Sequence, residues 1–145
     1  MAQDRAAYVE RDSWFKQLYE PARARIASVA DLLHSMDEAG VDRSVVAAFP
    51  WHDQALCEEH NAYFRELANE ERLVMLCTVQ PGADQRAIDE LQRCLDAGFA
   101  GLGEMNVDAQ GVALNDEECW GPLIEVLIEA GATLMLHSSE PVGYL

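Results

Sequence analysis

Positive charge is scarce in this sequence: Lys and Arg number 10 against 26 Asp and Glu, a formal net charge of −16. Such a balance repels phosphate backbones and anionic bilayer surfaces, which excludes nucleic acid and membrane as partners. Glycine and proline are also few, 9 and 5 residues, so the chain is neither collagen-like nor linker-like. Cys57, Cys77, Cys94 and Cys119 lie far apart with no C-x-x-C motif, and a structural zinc site is not expected. No apolar secretory stretch follows Met1, and no apolar run has membrane-spanning length. Four separated thiols fit a reducing cytoplasm.

What is present is ordinary globular material: 145 residues, 50% hydrophobic and 25% charged. A chain of that size folds as one domain and buries roughly 70% of its unfolded surface. Val29, Leu32, Leu33, Met36 and Ala39 make one helical stripe, opened by a capping box at Ser28-Val-Ala-Asp31 and closed by Gly40. The apolar run Ser44-Val-Val-Ala-Ala-Phe49, stopped by Pro50, reads as a buried strand. Leu56, His60, Tyr63, Phe64 and Leu67 form the next stripe, followed by the strand Leu73–Val79 and a stop at Pro81. Ile88, Leu91 and Leu95 give a third helix before the strand 100–105. Trp120, Leu123, Ile124, Leu127 and Ile128 give a fourth, with Asn115 as its cap, before the strand 133–137. Ahead of this repeat, within residues 1–27, Tyr8, Trp14, Phe15, Leu18 and Tyr19 predict one or two helices outside it.

An acidic-Ala-Gly tripeptide ends three helices, at Glu38–Gly40, Asp96–Gly98 and Glu129–Gly131, where glycine supplies the left-handed turn into the next strand. Strand starts about thirty residues apart are the period of a parallel βα unit. The chain is therefore α/β with about four parallel strands, as an open doubly wound sheet or as part of a (β/α)₈ barrel. In either case ligands sit beyond the carboxyl ends of the strands. That rule selects Trp51 and His52, then Gln80, then Glu104 and Asn106, then His137, Ser138, Ser139 and Glu140.

His137 ends a buried strand, where its imidazole is either presented at the functional face or bonded to a core carbonyl. Glu104, in a strand of small and apolar residues, needs a cation or a hydrogen-bonding network. On adjacent strands the two can converge on one divalent ion, and their nitrogen and oxygen donors suit zinc, manganese or iron. His52 and His60 are eight positions apart, about 80° around a helix and two turns along it, and cannot share an ion. His34 reads as a surface or interface residue. No phosphate-binding glycine motif and no G-x-S-x-G elbow occurs, and the cysteines read as small buried hydrophobes.

The segments Leu32-Leu-His-Ser-Met-Asp-Glu-Ala-Gly-Val-Asp-Arg-Ser-Val-Val46, Phe49-Pro-Trp51, Gly101-Leu-Gly-Glu104 and Leu134-Met-Leu-His-Ser-Ser-Glu-Pro-Val-Gly143 resemble the amidohydrolase-related family. The resemblance implies a (β/α)₈ barrel and metal-dependent hydrolysis or decarboxylation. It matches His137 to a metal ligand ending the fifth barrel strand. Glu104 then falls at the fourth strand end, where some relatives carry a bridging carboxylate or carboxylated lysine and others no ligand. It further implies a divalent cofactor, zinc first, and a small organic substrate; Trp51, Asn106 and Glu140, from the strand-end rule, are the residues expected to contact it.

That family opens with a strand bearing H-x-H or E-x-H, two further ligands, and carries a histidine in acid/base or ligand roles on its sixth strand and an aspartate on its eighth. Against that pattern, residues 1–145 correspond to units two to five of a partial TIM barrel with outer helices. The expectation is a fragment, inactive alone, that self-associates through open sheet edges into homo-oligomers. Two rivals are a non-catalytic α/β module working by assembly and a flavodoxin-like binding domain.

Overall fold

The computed structural model describes residues 5–20, 24–67 and 69–137. Two short helices come first, α1 (Arg5–Arg11) and α2 (Ser13–Tyr19), the second capped by the Asp12 carboxylate on the Phe15 N–H. Four βα repeats follow: α3 (Val29–Ala39), β1 (Ser44–Val46), α4 (Gln54–Glu66), β2 (Leu73–Cys77), α5 (Asp84–Asp96), β3 (Gly101–Met105), the one-turn α6 (Val107–Gln110), α7 (Glu117–Ala130) and β4 (Thr133–Leu136). The Ser28–Asp31 capping box forms as the sequence predicts. Gly40, Gly98 and Gly131 all take positive φ, at 67°, 91° and 61°. The cap of α7 is Asp116 rather than Asn115, its carboxylate accepting from the Cys119 N–H.

The strands are parallel and ordered β1-β2-β3-β4, without the reversal of a doubly wound sheet. A sequential parallel sheet with surrounding helices is part of a (β/α) barrel, and the flavodoxin-like alternative is set aside. Met36, Phe64, Leu91, Leu123 and Leu127 from the helices share one core with Met75, Cys77 and Leu102 from the strands. Val46 and Leu134 pack against that core, so the alternation of a strand turns Val45 and Met135 to the opposite face, where both are exposed.

Two strands stop earlier than their apolar runs. After Val46 the chain crosses the end of β2 to reach β3: the Ala48 N–H donates to the Gly103 carbonyl at 2.9 Å. β2 ends at Cys77 because the Asn61 side chain takes over both backbone groups of Thr78, accepting from its N–H at 3.0 Å and donating to its carbonyl at 2.8 Å. Asn61 also bonds Glu90, a fully buried carboxylate that pairs with Arg65 and Arg93 and ties α4 to α5.

A second core joins Tyr8 and Phe15 of the N-terminal helices to Trp51, Leu56 and Cys57. The rings of Phe15 and Trp51 stack at 5.1 Å, and Phe49 meets Trp51 at 4.5 Å. This packing lays α1 and α2 over the carboxyl end of β1.

Candidate active site

Glu104 and His137 stand at the carboxyl ends of β3 and β4, and both backbones are pinned. The Glu104 N–H donates to the Ala48 carbonyl at 3.1 Å and the His137 N–H to the Met105 carbonyl at 2.8 Å. Their side chains meet, with His137 Nδ1 2.6 Å from Glu104 Oε1. An ionised carboxylate can only accept, so against one Nδ1 donates this bond and Nε2 faces away from Glu104. The side chains are 47% and 34% exposed, open enough for a ligand to reach.

They border a cavity of about 570 Å³, a volume in the range of small-molecule sites. Trp14, Phe15, Tyr19 and Phe49 form an apolar wall, and Asn106 and His60 add polar groups to Glu104 and His137. Asn106 caps α6: its Oδ1 accepts from the N–H groups of Asp108 and Ala109, and its own N–H donates to Gln110 Oε1. Gln110 in turn donates to the Val79 carbonyl at 2.7 Å, while Gln80 bridges the carbonyls of His52 and Gln110 at 2.8 Å each. Side-chain amides thus fasten the ends of the first three strands to one another.

Trp51, expected beside a substrate, is instead fully buried, and its indole N–H donates to His60 Nδ1 at 2.8 Å. It is the floor beneath Phe49 and Tyr8 rather than a ligand contact. Glu140, with Ser138 and Ser139, lies outside the described residues. His34 pairs with Glu38 on the surface, and the thiols of Cys57, Cys77 and Cys94 are buried and free. His52 borders a separate charged cleft with Arg11 and Lys16.

His60, which the sequence reading sets aside as a metal ligand shared with His52, lines this cavity. The signal was there: a histidine on the buried stripe of α4 must find a partner, and Trp51 lies nine residues upstream. Burial pushes its pKa down to about 4, so the ring is neutral.

The amidohydrolase family model matches residues 8–144. The chain belongs to the amidohydrolase family. A comparison with curated proteins gives no match. Amidohydrolases are metal-dependent hydrolases that generally use divalent ions, and this member keeps the family's barrel units over almost its whole length. The donor chemistry of Glu104 and His137, carboxylate oxygen and imidazole nitrogen side by side, fits such an ion. Among the described residues no group of three or more His, Cys, Asp or Glu is placed to hold one. No helix among the described residues is long and apolar enough to cross a membrane.

Proposed function

We propose that this amidohydrolase acts on a small organic substrate, hydrolysing a C–N or C–O bond, with decarboxylation as the alternative reaction. The observation that carries the reading is the 2.6 Å contact of His137 with Glu104 at the mouth of the cavity. In this reading His137 and Glu104 are the residues that would hold a divalent ion, His137 through Nε2 and Glu104 from behind the ring through its bond to Nδ1, with zinc the first choice and manganese or iron as substitutes. A bound ion would supply an acidified water and polarisation of a substrate oxygen. The chain's own part is orientation: Glu104 fixes the imidazole's tautomer and direction, as a carboxylate behind a metal-bound histidine does. The aromatic wall excludes water from the apolar end of the ligand.

Asn106 is proposed to contact substrate, and Glu140 to approach it from beyond β4. The charge of −16 argues against nucleic acid and anionic membranes as partners, and four separated thiols suit the cytoplasm. Among the described residues β1 and β4 each pair on one side alone, which supports self-association.

Equilibrium dialysis against zinc and manganese tests the site, together with hydrolysis of simple amides and lactones and CO₂ release from aromatic acids. Metal binding that falls at least about tenfold in His137→Ala and in Glu104→Ala supports the reading. Binding unchanged in both variants would place the ion elsewhere.

A further inference from the structure

The indole N–H of Trp51 is a donor with no acceptor capacity, and it points at Nδ1 of His60 from 2.8 Å. Nδ1 therefore holds a lone pair, and the single proton of the neutral ring sits on Nε2. His60 is only 5% exposed, and it lines the cavity that Glu104 and His137 border. Among the described residues nothing accepts a hydrogen bond from Nε2, yet no buried polar side-chain atom among them is left unpaired, so Nε2 reaches open space.

Asn106 repeats the pattern. Its Oδ1 is committed to two backbone N–H groups of α6, which orients the amide and leaves Nδ2 without an acceptor among the described residues. It too is 5% exposed and lines the same cavity. Neither donor is sealed away from the cavity, and two largely covered N–H groups that open onto one space beside an apolar wall suit an acceptor that arrives with a ligand.

We propose that this cavity binds a carbonyl-type oxygen of a small organic ligand through the Nε2–H of His60 and the Nδ2–H of Asn106, with Trp51 as the positioning residue that fixes the His60 tautomer. The acceptor belongs to an amide or ester carbonyl or to a carboxylate. The adjacent Glu104 carboxylate favours the neutral forms by sparing a like-charge contact. The donors need no ion at Glu104 and His137, so this inference stands or falls apart from the metal reading.

The test uses the ¹⁵N-labelled 145-residue chain with chelator present, titrated with benzamide, benzoate and toluene. Long-range ¹H–¹⁵N correlations are expected to show His60 protonated on Nε2 alone. Benzamide should move His60 Nε2 and Asn106 Nδ2 with one common dissociation constant, and benzoate should do the same more weakly. Toluene, which has the ring without the oxygen, should leave both signals in place. Trp51→Phe is expected to mix the tautomers and weaken benzamide binding by about 3- to 10-fold. A proton on Nδ1 in the parent chain, or His60 and Asn106 signals that neither oxygen-bearing probe moves, would overturn the proposal. If Trp51→Phe fails to fold, the tautomer and titrations of the parent chain decide alone.

Discussion

The backbone N–H of Glu104 donates to the carbonyl of Ala48 at 3.1 Å, a contact between the chain after β1 and a strand two places away in the sheet. The bond closes the sheet's curl over the carboxyl end of β2. It also sets the Glu104 side chain beside Phe49, Pro50 and the aromatic wall. The barrel geometry and the polar end of the cavity are thus products of one backbone arrangement.

Gly103→Ala should damage both at once. A methyl at Gly103 would stand 2.5 Å from Met135 Cβ and 2.9 Å from the Met135 carbonyl, at a φ of +153°. The expected loss is about 1–3 kcal/mol of stability, read as a lower urea midpoint. Because β4 must move away, the His137–Glu104 contact should open as well. A variant of unchanged midpoint would show that β4 yields freely.

Much of this fold is legible in the residues. Hydrophobic spacing and the acidic-Ala-Gly turns locate four helices and four strands, because both report local backbone geometry. The His137–Glu104 meeting follows from strand ends alone. The ends of β1 and β2 were not legible, since Asn61 and Ala48 stop them by reaching across the fold. Trp51 misled for a related reason. Its place after a strand end matches a ligand contact, but aromatic residues from α1 and α2, more than thirty positions upstream, cover it. Sequence spacing carries no record of such long-range covering.

Asn61→Ala should be among the costliest changes outside the cavity. It strips partners from the N–H and carbonyl of Thr78, a fully buried residue, and removes one hydrogen bond from Glu90. Leaving two buried backbone groups unpaired is expected to cost roughly 2–4 kcal/mol, measured by chemical denaturation. Amide exchange should quicken first at the end of β2. A loss below about 0.5 kcal/mol would mean that water enters and replaces the amide.

The sheet edges predict association. Among the described residues β1 is an edge strand on which Val45 is 62% exposed, and Ile128 of α7 adds apolar surface that is 73% exposed. Sedimentation velocity should show oligomers that grow with salt, as screening weakens the repulsion between copies carrying −16 charges. Val45→Lys should shift the population toward monomer. A strictly monomeric parent chain at high salt would remove the edge-pairing idea.

Stability should fall on mild acidification, and His60 sets the window. Its folded pKa is pushed down to about 4 by burial against Trp51 and Phe64, while the unfolded side chain titrates near 6.5. Above pH 6.5 neither state is protonated and the group contributes no slope. Between 6.5 and 4 the unfolded chain binds a proton that the folded chain refuses, so stability declines as pH drops through that interval. Integrated over the window the loss is on the order of 3 kcal/mol. Glu58 and Glu59, held below the ordinary carboxylate range chiefly by hydrogen bonds from Arg86 and Arg11, lose their contributions only at lower pH. The two effects are therefore separable. His60→Gln should flatten the curve between pH 6.5 and 4.5 and keep the steeper fall below it. If the variant retains the parent's full slope in that upper interval, the His60 ring is not the group that titrates there.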